Sequence, residues 1–240
     1  MTVLAPLAAR YSVRSSGEPQ VEIPPEADGV VRAMPVVLRL ERPPAARTSV
    51  LEAAARAALA VCLDERAAPD GDWHDAVTTW VDARIRKIAR RARGAHWAAV
   101  QELPGVTVTV GSGDSAAQAR ALLPGPVDEV PKIVARLQIG GTDLPDDDPG
   151  PPPSDVPVIW LNGALGMTVG KAAAQVGHAS MLDAAARGLA SVPPYAVRTA
   201  ARDRWAELCR SVERGEAVAV RDAGFTEVAP GTITAITTPG

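Results

Sequence analysis

Residues 156–180 read VPVIWLNGALGMTVGKAAAQVGHAS, and this stretch decides the fold of the C-terminal half of the chain. The continuous apolar run at 156–161 is typical of a strand that is covered on both faces. Small and apolar residues at helical spacing follow over 168–188, with Thr168 as a suitable N-cap and Gly188 as a suitable end. The stretch therefore predicts a strand that leads directly into a helix, which is the basic unit of an α/β fold.

The remainder of this half continues the same alternation. We expect strands at 195–199, 217–221 and 232–237, and a helix at 202–215. Together these elements predict a small three-layer α/β sandwich over 155–240, with a mixed sheet of about four strands. An acidic, proline-rich segment at 143–154 predicts a linker to an N-terminal α/β half at 34–142. The polar segment 1–33 is expected to be mostly disordered.

The N-terminal half contains a strand pattern at 34–40 and a helix pattern at 48–63. We expect a long amphipathic helix at 72–93 and strands within 96–111, whereas 112–140 has no clear pattern. The long helix would have a cationic face without acidic residues, formed by Arg84, Arg86, Lys87, Arg90, Arg91 and Arg93. Such a face is either simply solvated or binds phosphates.

Composition limits the classes of function. A net charge of -3 and 47% hydrophobic residues are typical of a globular protein. There is no apolar run of the ~20 residues that a membrane span needs, and no secretory signal pattern, so a cytoplasmic location is expected. Cys62 and Cys209 fall in helical patterns and are expected to be reduced and buried. His74, His96 and His178 lack ligand spacing, so neither a metal nor a cofactor is expected.

The segment around Gly170 and Lys171 does not match a phosphate-binding loop. The Walker motif needs a glycine five residues before Gly170 and a hydroxyl residue after Lys171, but Leu165 and Ala172 occupy these positions. There is no G-x-G-x-x-G motif either. A nucleotide-binding module therefore remains only a third alternative.

The helix at 168–188 carries a row of polar residues instead. Lys171, Gln175 and His178 lie at positions i, i+4 and i+7, on one face of its N-terminal part. This part follows the carboxyl end of a strand, where ligands bind in open α/β sheets. Only three of the 25 basic residues are lysines, which suggests that Lys171 supplies a compact ammonium group. The alternative is a solvated lysine beside a hydrogen-bonded core histidine.

A second candidate segment is RDAGFTEVAPGT, residues 221–232. Asp222 stands at the carboxyl end of a predicted strand, and Thr226 lies just past a glycine turn. A carboxylate and a hydroxyl so placed can hold a water molecule together. Alternatively, Asp222 accepts backbone N–H groups in an Asx-type turn.

These two segments together resemble the type-2 peptidyl-tRNA hydrolases. That family carries Gly-Met-Gly-Lys-Gly-Lys-x-Ala-Ala-Gln-x-x-His-Ala, followed later by Asp-Ala-Gly-x-Thr-x-x-Ala-Pro-Gly-Ser/Thr. The family residues fall on Lys171, Gln175, His178, Asp222 and Thr226, and the resemblance covers about residues 155–240. Three positions depart from the pattern: Val169 replaces a lysine, Phe225 an arginine and Glu227 a glutamine.

The resemblance implies hydrolysis of the ester that joins a peptide to the 3′-terminal ribose of tRNA. It implies that Asp222 and Thr226 position a water molecule and that Lys171 meets the oxyanion or a terminal phosphate. Gln175 would orient the substrate or the lysine, and His178 would be a structural hydrogen-bonding group. A catalytically weak RNA-binding relative is the alternative that the three departures suggest. Because the half at 155–240 has as many acidic as basic residues, contacts to tRNA would come largely from the cationic face at 84–93.

The N-terminal half is further predicted to be a degenerate copy of the C-terminal one. An ungapped offset of 122 aligns Pro35-Val36-Val37-Leu38 with Pro157-Val158-Ile159-Trp160. The same offset places Ser49, Ala53 and Arg56 opposite Lys171, Gln175 and His178, so the polar row is not repeated. An internal copy can take the place of a second subunit, which predicts a monomer with an internal pseudo-dimer, or else a homodimer.

Overall fold

The structure, a computed structural model, describes residues 2–11, 26, 28–222, 229 and 231–240. The N-terminal half contains, in chain order, α1 (Ala5–Tyr11), β1 (Arg32–Arg39), α2 (Arg47–Leu63), α3 (His74–Asp82), β2 (Lys87–Ala92), α4 (Gly94–Val100), β3 (Gly105–Val110), β4 (Ala117–Leu122), β5 (Gly125–Pro126) and α5 (Lys132–Ala135). The C-terminal half contains β6 (Val158–Asn162), α6 (Val169–Arg187), β7 (Ala196–Ala200), α7 (Arg202–Glu213), β8 (Val218–Arg221) and β9 (Ile233–Thr238).

The two halves have the same topology. The sheet of the N-terminal half has the order β2-β1-β4-β3, with β5 paired to β1, and the sheet of the C-terminal half has the order β7-β6-β9-β8. In each sheet the first two strands are parallel and the other pairs are antiparallel. The α/β architecture predicted from the sequence is therefore confirmed, and the N-terminal half repeats the strand order of the C-terminal half.

The central helices α2 and α6 pack against each other between the two sheets. The hydroxyl of Ser180 donates to the carbonyl of Ala55 at 2.8 Å. A Cβ on Gly177 would lie only 3.1 Å from that of Ala58. Ala55 and Ala58 correspond to Gly177 and Ser180 at the offset of 122, so the two contacts are exchanged by a pseudo-twofold axis, as in an isologous dimer. One apolar core thus extends through both halves.

The ungapped alignment is right for the helices and wrong by one residue for the first strand. Val36 and Leu38 face the central core, as do Ile159 and Leu161, whereas Val37 and Trp160 pack on the outer faces of their sheets. Val36 therefore corresponds to Ile159, an offset of 123. The extra residue lies in the connection between β1 and α2, which is one residue longer than that between β6 and α6.

Two predictions for the N-terminal half are wrong. The helix at 72–93 ends at Asp82, and Lys87–Ala92 form β2, parallel to β1. Burial alternates over residues 87–90 of β2, and pairing with β1 overrides the helical period. Residues 94–100 form α4 rather than a strand, because Trp97 and Val100, at helical spacing, fill the outer cluster of this sheet.

The prediction of a mostly disordered N-terminal segment is wrong for residues 5–11, which form α1. Leu4 and Leu7 are buried in the central core, and Arg10 donates to the carbonyl of Val81 at 2.8 Å. Residues 12–25 and 27 lie outside the described residues. A few buried apolar side chains therefore hold this helix against the core, although the sequence of the segment shows no sustained periodicity.

The acidic, proline-rich segment between the halves has no helix or strand, but it is anchored to both halves. Asp147 accepts hydrogen bonds from the backbone N–H and the hydroxyl of Thr48, at 3.0 and 2.9 Å. Just before this segment, Thr142 accepts from the N–H of Gly170 at 3.1 Å. One side chain caps the first turn of α2 and the other that of α6, so this stretch ties the two central helices together.

Among the described residues, no helix combines the length and apolar character that crossing a membrane requires.

Candidate functional site

The N-terminal end of α6 is fixed by hydrogen bonds from side chains. Thr168 accepts from the N–H of Lys171 at 3.3 Å, which confirms it as the N-cap. At the other end, Gly188 has a φ of 63°, and the N–H of Leu189 donates to the carbonyl of Ala184 at 2.9 Å. Because Thr142 and Thr168 already accept from the N–H groups of Gly170 and Lys171, an anion would have to displace these threonines to bind there.

Lys171 and Asp222 form an ion pair at this end of α6. Asp222 directly follows β8, and its Oδ2 atom also accepts from Nε2 of Gln175 at 3.0 Å. The side chains of Lys171 and Asp222 are only 12% and 7% exposed. Burial strengthens the attraction between the two charges and makes either charge costly without its partner. The structure thus joins three of the five candidate residues into one polar cluster.

Thr234 is a fourth member of this cluster, and sequence analysis missed it. Its hydroxyl donates to Oε1 of Gln175 at 2.6 Å and thereby turns the amide nitrogen of Gln175 toward Asp222. The pairing of β8 with β9 passes from Val220–Ala235 to Arg221–Ile233, so Thr234 is the extra residue of a β-bulge. A bulge re-aims a side chain, and here it directs the fully buried Thr234 at α6.

Thr226 lies outside the described residues, as do Phe225 and Glu227. Val169, which replaces a lysine of the resembled family, is buried in the central core with 1% exposure. Position 169 therefore carries an apolar side chain and is surrounded by apolar side chains. The structure offers no second ammonium group at that position.

His178 contacts the N-terminal half of the chain. Its Nδ1 atom lies 3.3 Å from Nζ of Lys87, on β2 of the other half. Burial lowers the pKa of His178 well below its ordinary value, and the positive charges of Lys87 and Lys171 lower it further. The lowered pKa favours the neutral ring, whose Nδ1 atom can then accept from the lysine across the contact between the halves.

Lys87 is itself buried at this contact between the halves. Its Nζ atom donates to the carbonyl of Ile85 at 3.2 Å and lies 5.0 Å from the centre of the Trp80 ring. Burial lowers the pKa of Lys87 to about 7. Burial also raises the pKa of the neighbouring Cys62 thiol to about 12, so that it stays protonated.

The cationic face predicted for tRNA does not form as expected, because its residues lie in and around a strand rather than on a helix. Arg86 pairs with Glu26, Arg90 donates to the carbonyl of Leu137 at 2.9 Å, and Arg91 donates to Gln138. Lys87 is buried, and Arg93 is exposed at the end of β2. Arg84 is half-buried, and its positive charge acts on the carboxylate of Glu26. The strand sends neighbouring side chains to opposite faces, so one shared phosphate-binding surface is not produced.

The N-terminal half does not repeat the polar cluster. Ser49 and Ala53 occupy the positions of Lys171 and Gln175, and Ala53 is fully buried in the central core. Arg56, opposite His178, donates to the carbonyl of Tyr195 at 3.0 Å. The repeat thus preserves the packing contacts between the halves while the ion-pair chemistry belongs to the C-terminal half.

A cleft of about 360 Å³ lies at the carboxyl ends of β6 and β7. Its lining includes Leu161, Met167 and Thr199 from the C-terminal half, Arg47 from α2, and Asp143–Asp146 from the segment between the halves. Thr168 and Val169 also line it, so the cleft begins next to the turn of α6 that carries Lys171. This volume is in the range of small-molecule sites, and the position is the one where α/β sheets bind ligands.

Comparisons with protein-family models, with curated proteins and with solved structures found no match to this chain.

Proposed function

We propose that this protein hydrolyses the ester bond between a peptide, or an N-blocked amino acid, and the 3′-terminal ribose of tRNA. The observation that carries the proposal is the cluster of Lys171, Gln175 and Asp222, which follows Thr168 and Val169, the residues of this helix end that line the cleft. These are residues of the two segments that resemble the type-2 peptidyl-tRNA hydrolases. A buried carboxylate next to an ammonium group suits ester hydrolysis, which needs an oriented water and a positive charge near the developing oxyanion.

In this proposal, Asp222 orients a water molecule and takes its proton as the water attacks the ester carbonyl. The bond between the carbonyl carbon and the ribose 3′ oxygen then breaks, and the proton passes to this leaving oxygen, so that a free carboxylic acid and a tRNA hydroxyl result. Lys171 places positive charge beside the oxyanion. Gln175, held by Thr234, fixes the carboxylate rather than the lysine. Thr226 would assist in holding the water.

The cleft supports the substrate side of the proposal. Leu161, Met167 and Leu144 give it apolar walls, and Arg47, Asp143 and Asp146 contribute charges of both signs. Such a lining accommodates the acyl part of a substrate without selecting one charge. The substrate would thus place its ester at the Lys171 end of the cleft.

A catalytically weak tRNA-binding relative is the second candidate, and the burial of Val169 favours it. This position lies two residues before Lys171 and cannot supply a cation. The substitutions Phe225 and Glu227 remove a further cation and an amide from the pattern of the resembled family. A protein of this class would bind tRNA but release no acyl group.

The decisive experiment uses purified full-length protein and N-acetyl-aminoacyl-tRNA, with release of the acyl group followed over time. Hydrolysis above the spontaneous rate, abolished by Asp222→Asn in a protein that still folds, supports the enzyme. Binding of tRNA without turnover supports the second candidate. Neither binding nor turnover would exclude both.

A further inference from the structure

Among the described residues, the strand orders of the two sheets end in four edge strands, β2, β3, β7 and β8, and three of these are protected against pairing with another chain. In β2, the N–H of Arg91 donates to the carbonyl of Gln138 at 2.9 Å. In β7, the N–H of Val197 donates to Glu52 of α2 at 3.1 Å. The third, β8, is only four residues long and lies opposite the β-bulge of β9. It ends in Arg221, which is exposed. These are usual ways of blocking an edge.

The fourth edge, β3, has none of these protections. Its sequence, GVTVTV at 105–110, has no charge and no proline, and its pairing with β4 runs without a bulge from Gly105–Leu122 to Val110–Ala117. Within the described part of the chain, the sheet ends at this strand. Its valines are only half-buried against the core. An uncharged edge of this length, paired without a bulge, is a site for strand addition.

The hydrogen-bonding pattern identifies which backbone groups face outward. The N–H of Leu123 donates to the carbonyl of Pro104 at 3.0 Å, in line with the β3–β4 register. Bonded pairs alternate along an antiparallel ladder, so Val106, Val108 and Val110 bond to β4. The N–H and C=O groups of Thr107 and Thr109 therefore point away from the sheet.

The sequence of this edge matches itself in the antiparallel direction. Residues 105–111 read GVTVTVG, a palindrome centred on Val108. We infer that β3 is a self-association surface on which a second copy of this chain adds its own β3, antiparallel, with Val108 opposite Val108. In this register Thr107 faces Thr109 of the other copy as a hydrogen-bonded pair, and valines face valines on the inner side.

This register is selected by the geometry. If one strand slid by one residue, the outward-facing N–H and C=O groups of one copy would lie opposite residues of the other copy whose groups face inward. No ladder of hydrogen bonds would then form. A register with Thr107 opposite Thr107 keeps the pattern and also overlaps five residues of β3, but only the register at Val108 pairs the palindrome at 105–111 along its whole length. The interface is isologous and closes as a dimer with one continuous sheet through both N-terminal halves. It is independent of the Lys171–Asp222 cluster, which lies in the other half.

One strand pair buries less than the ~1,200 Å² of a standard interface, so the dimer should dissociate in the micromolar range or above. Analytical ultracentrifugation over a wide concentration range should show a reversible monomer–dimer equilibrium. Thr109→Pro removes an outward N–H and should shift the protein to monomer, as should Thr109→Lys. Ser112→Lys adds the same charge just outside the strand and should leave the equilibrium unchanged.

Cysteine cross-linking tests the register. Under mild oxidation Val108→Cys should form a covalent dimer, because the two residues face each other at the axis. Val106→Cys should not, since it faces position 110 of the other copy. A protein that stays monomeric at the highest concentration and does not cross-link at 108 would overturn the inference. Equal cross-linking at 106 and 108 would show association without this register and would overturn it too.

Discussion

Lys171 and Asp222 are 51 positions apart in the chain, yet they form a buried ion pair at the N-terminal end of α6. The pair joins the two segments, around 163–180 and 221–232, on which the proposed activity rests. Gln175 lies one turn further along the helix and bonds to the same carboxylate oxygen. The pair is therefore a structural element and a candidate catalytic element at once, and experiments must separate the two roles.

A double-mutant cycle with Lys171→Met and Asp222→Asn makes this separation. Each single change leaves one group of the pair without its partner and should lower the free energy of unfolding by about 2–4 kcal/mol, whereas the double change should cost less than the sum. Turnover should fall at least ~100-fold in all three variants, because charge next to the reaction centre is lost. The measurements are urea denaturation and acyl-tRNA hydrolysis. If stability and activity recovered together in the double variant, the pair would be only structural.

The buried lysine between the halves predicts a dependence of stability on pH. The pKa of Lys87 is lowered to about 7, so between pH 7 and the ordinary value near 10.4 the unfolded chain binds the additional proton. Stability then rises with pH across this window, and the cost of burying the charge is fully present below pH 7. Lys87→Met should therefore be more stable than wild type by a few kcal/mol at pH 6–7, with the difference vanishing toward pH 10.

The comparison between variant and wild type is needed because neighbouring groups also titrate. The raised pKa of Cys62 makes stability fall with pH above its unfolded value, and the lowered pKa of His178 makes stability fall in acid. Burial is the main cause of both shifts and remains in the variant, so this part of each contribution cancels in the difference. Lys132→Met, at an exposed position, is the control and should show no such difference. A constant offset at all pH values would contradict a titrating Lys87.

Most of the C-terminal half could be predicted from its sequence, because β6 lies in a continuous apolar run, the later strands are short β-rich segments and the main helix has both caps. The segment at 84–93 could not, because its spacing fits a helix and a strand equally well and only pairing with β1 decides. Thr234 was missed for a related reason: strand alternation assigns it and Ala235 to opposite faces, and a bulge breaks that rule. Lys87 was placed on the cationic face expected to contact tRNA, although a cation beside Ile85 and Ile88 could equally enter the core.

The segment between the halves provides a third prediction. Asp147 caps the first turn of α2, whose own N-cap position is Ala46 and makes no side-chain cap. Asp147→Ala should therefore cost about 1 kcal/mol of stability, which is the usual effect of losing a cap. Asp148→Ala is a matched control, since Asp148 bonds only within its own turn, to the N–H of Gly150 at 3.1 Å. Equal effects in thermal unfolding would show that this segment does not stabilise α2.

The crossing of α2 and α6 gives the last prediction. A Cβ on Gly177 would lie 2.9 Å from Cδ of Lys87 and 3.1 Å from Cβ of Ala58, so a branched side chain has no room there. Gly177→Val should lower the free energy of unfolding by about 1–3 kcal/mol or more, since both halves must shift to admit it. Ala186→Val changes an exposed position of the same helix and should cost under about 0.5 kcal/mol. Because the contact joins the halves, Gly177→Val should also increase hydrogen exchange in both α2 and α6. Loss of protection in α6 alone would mean that the two halves are not held together through this crossing.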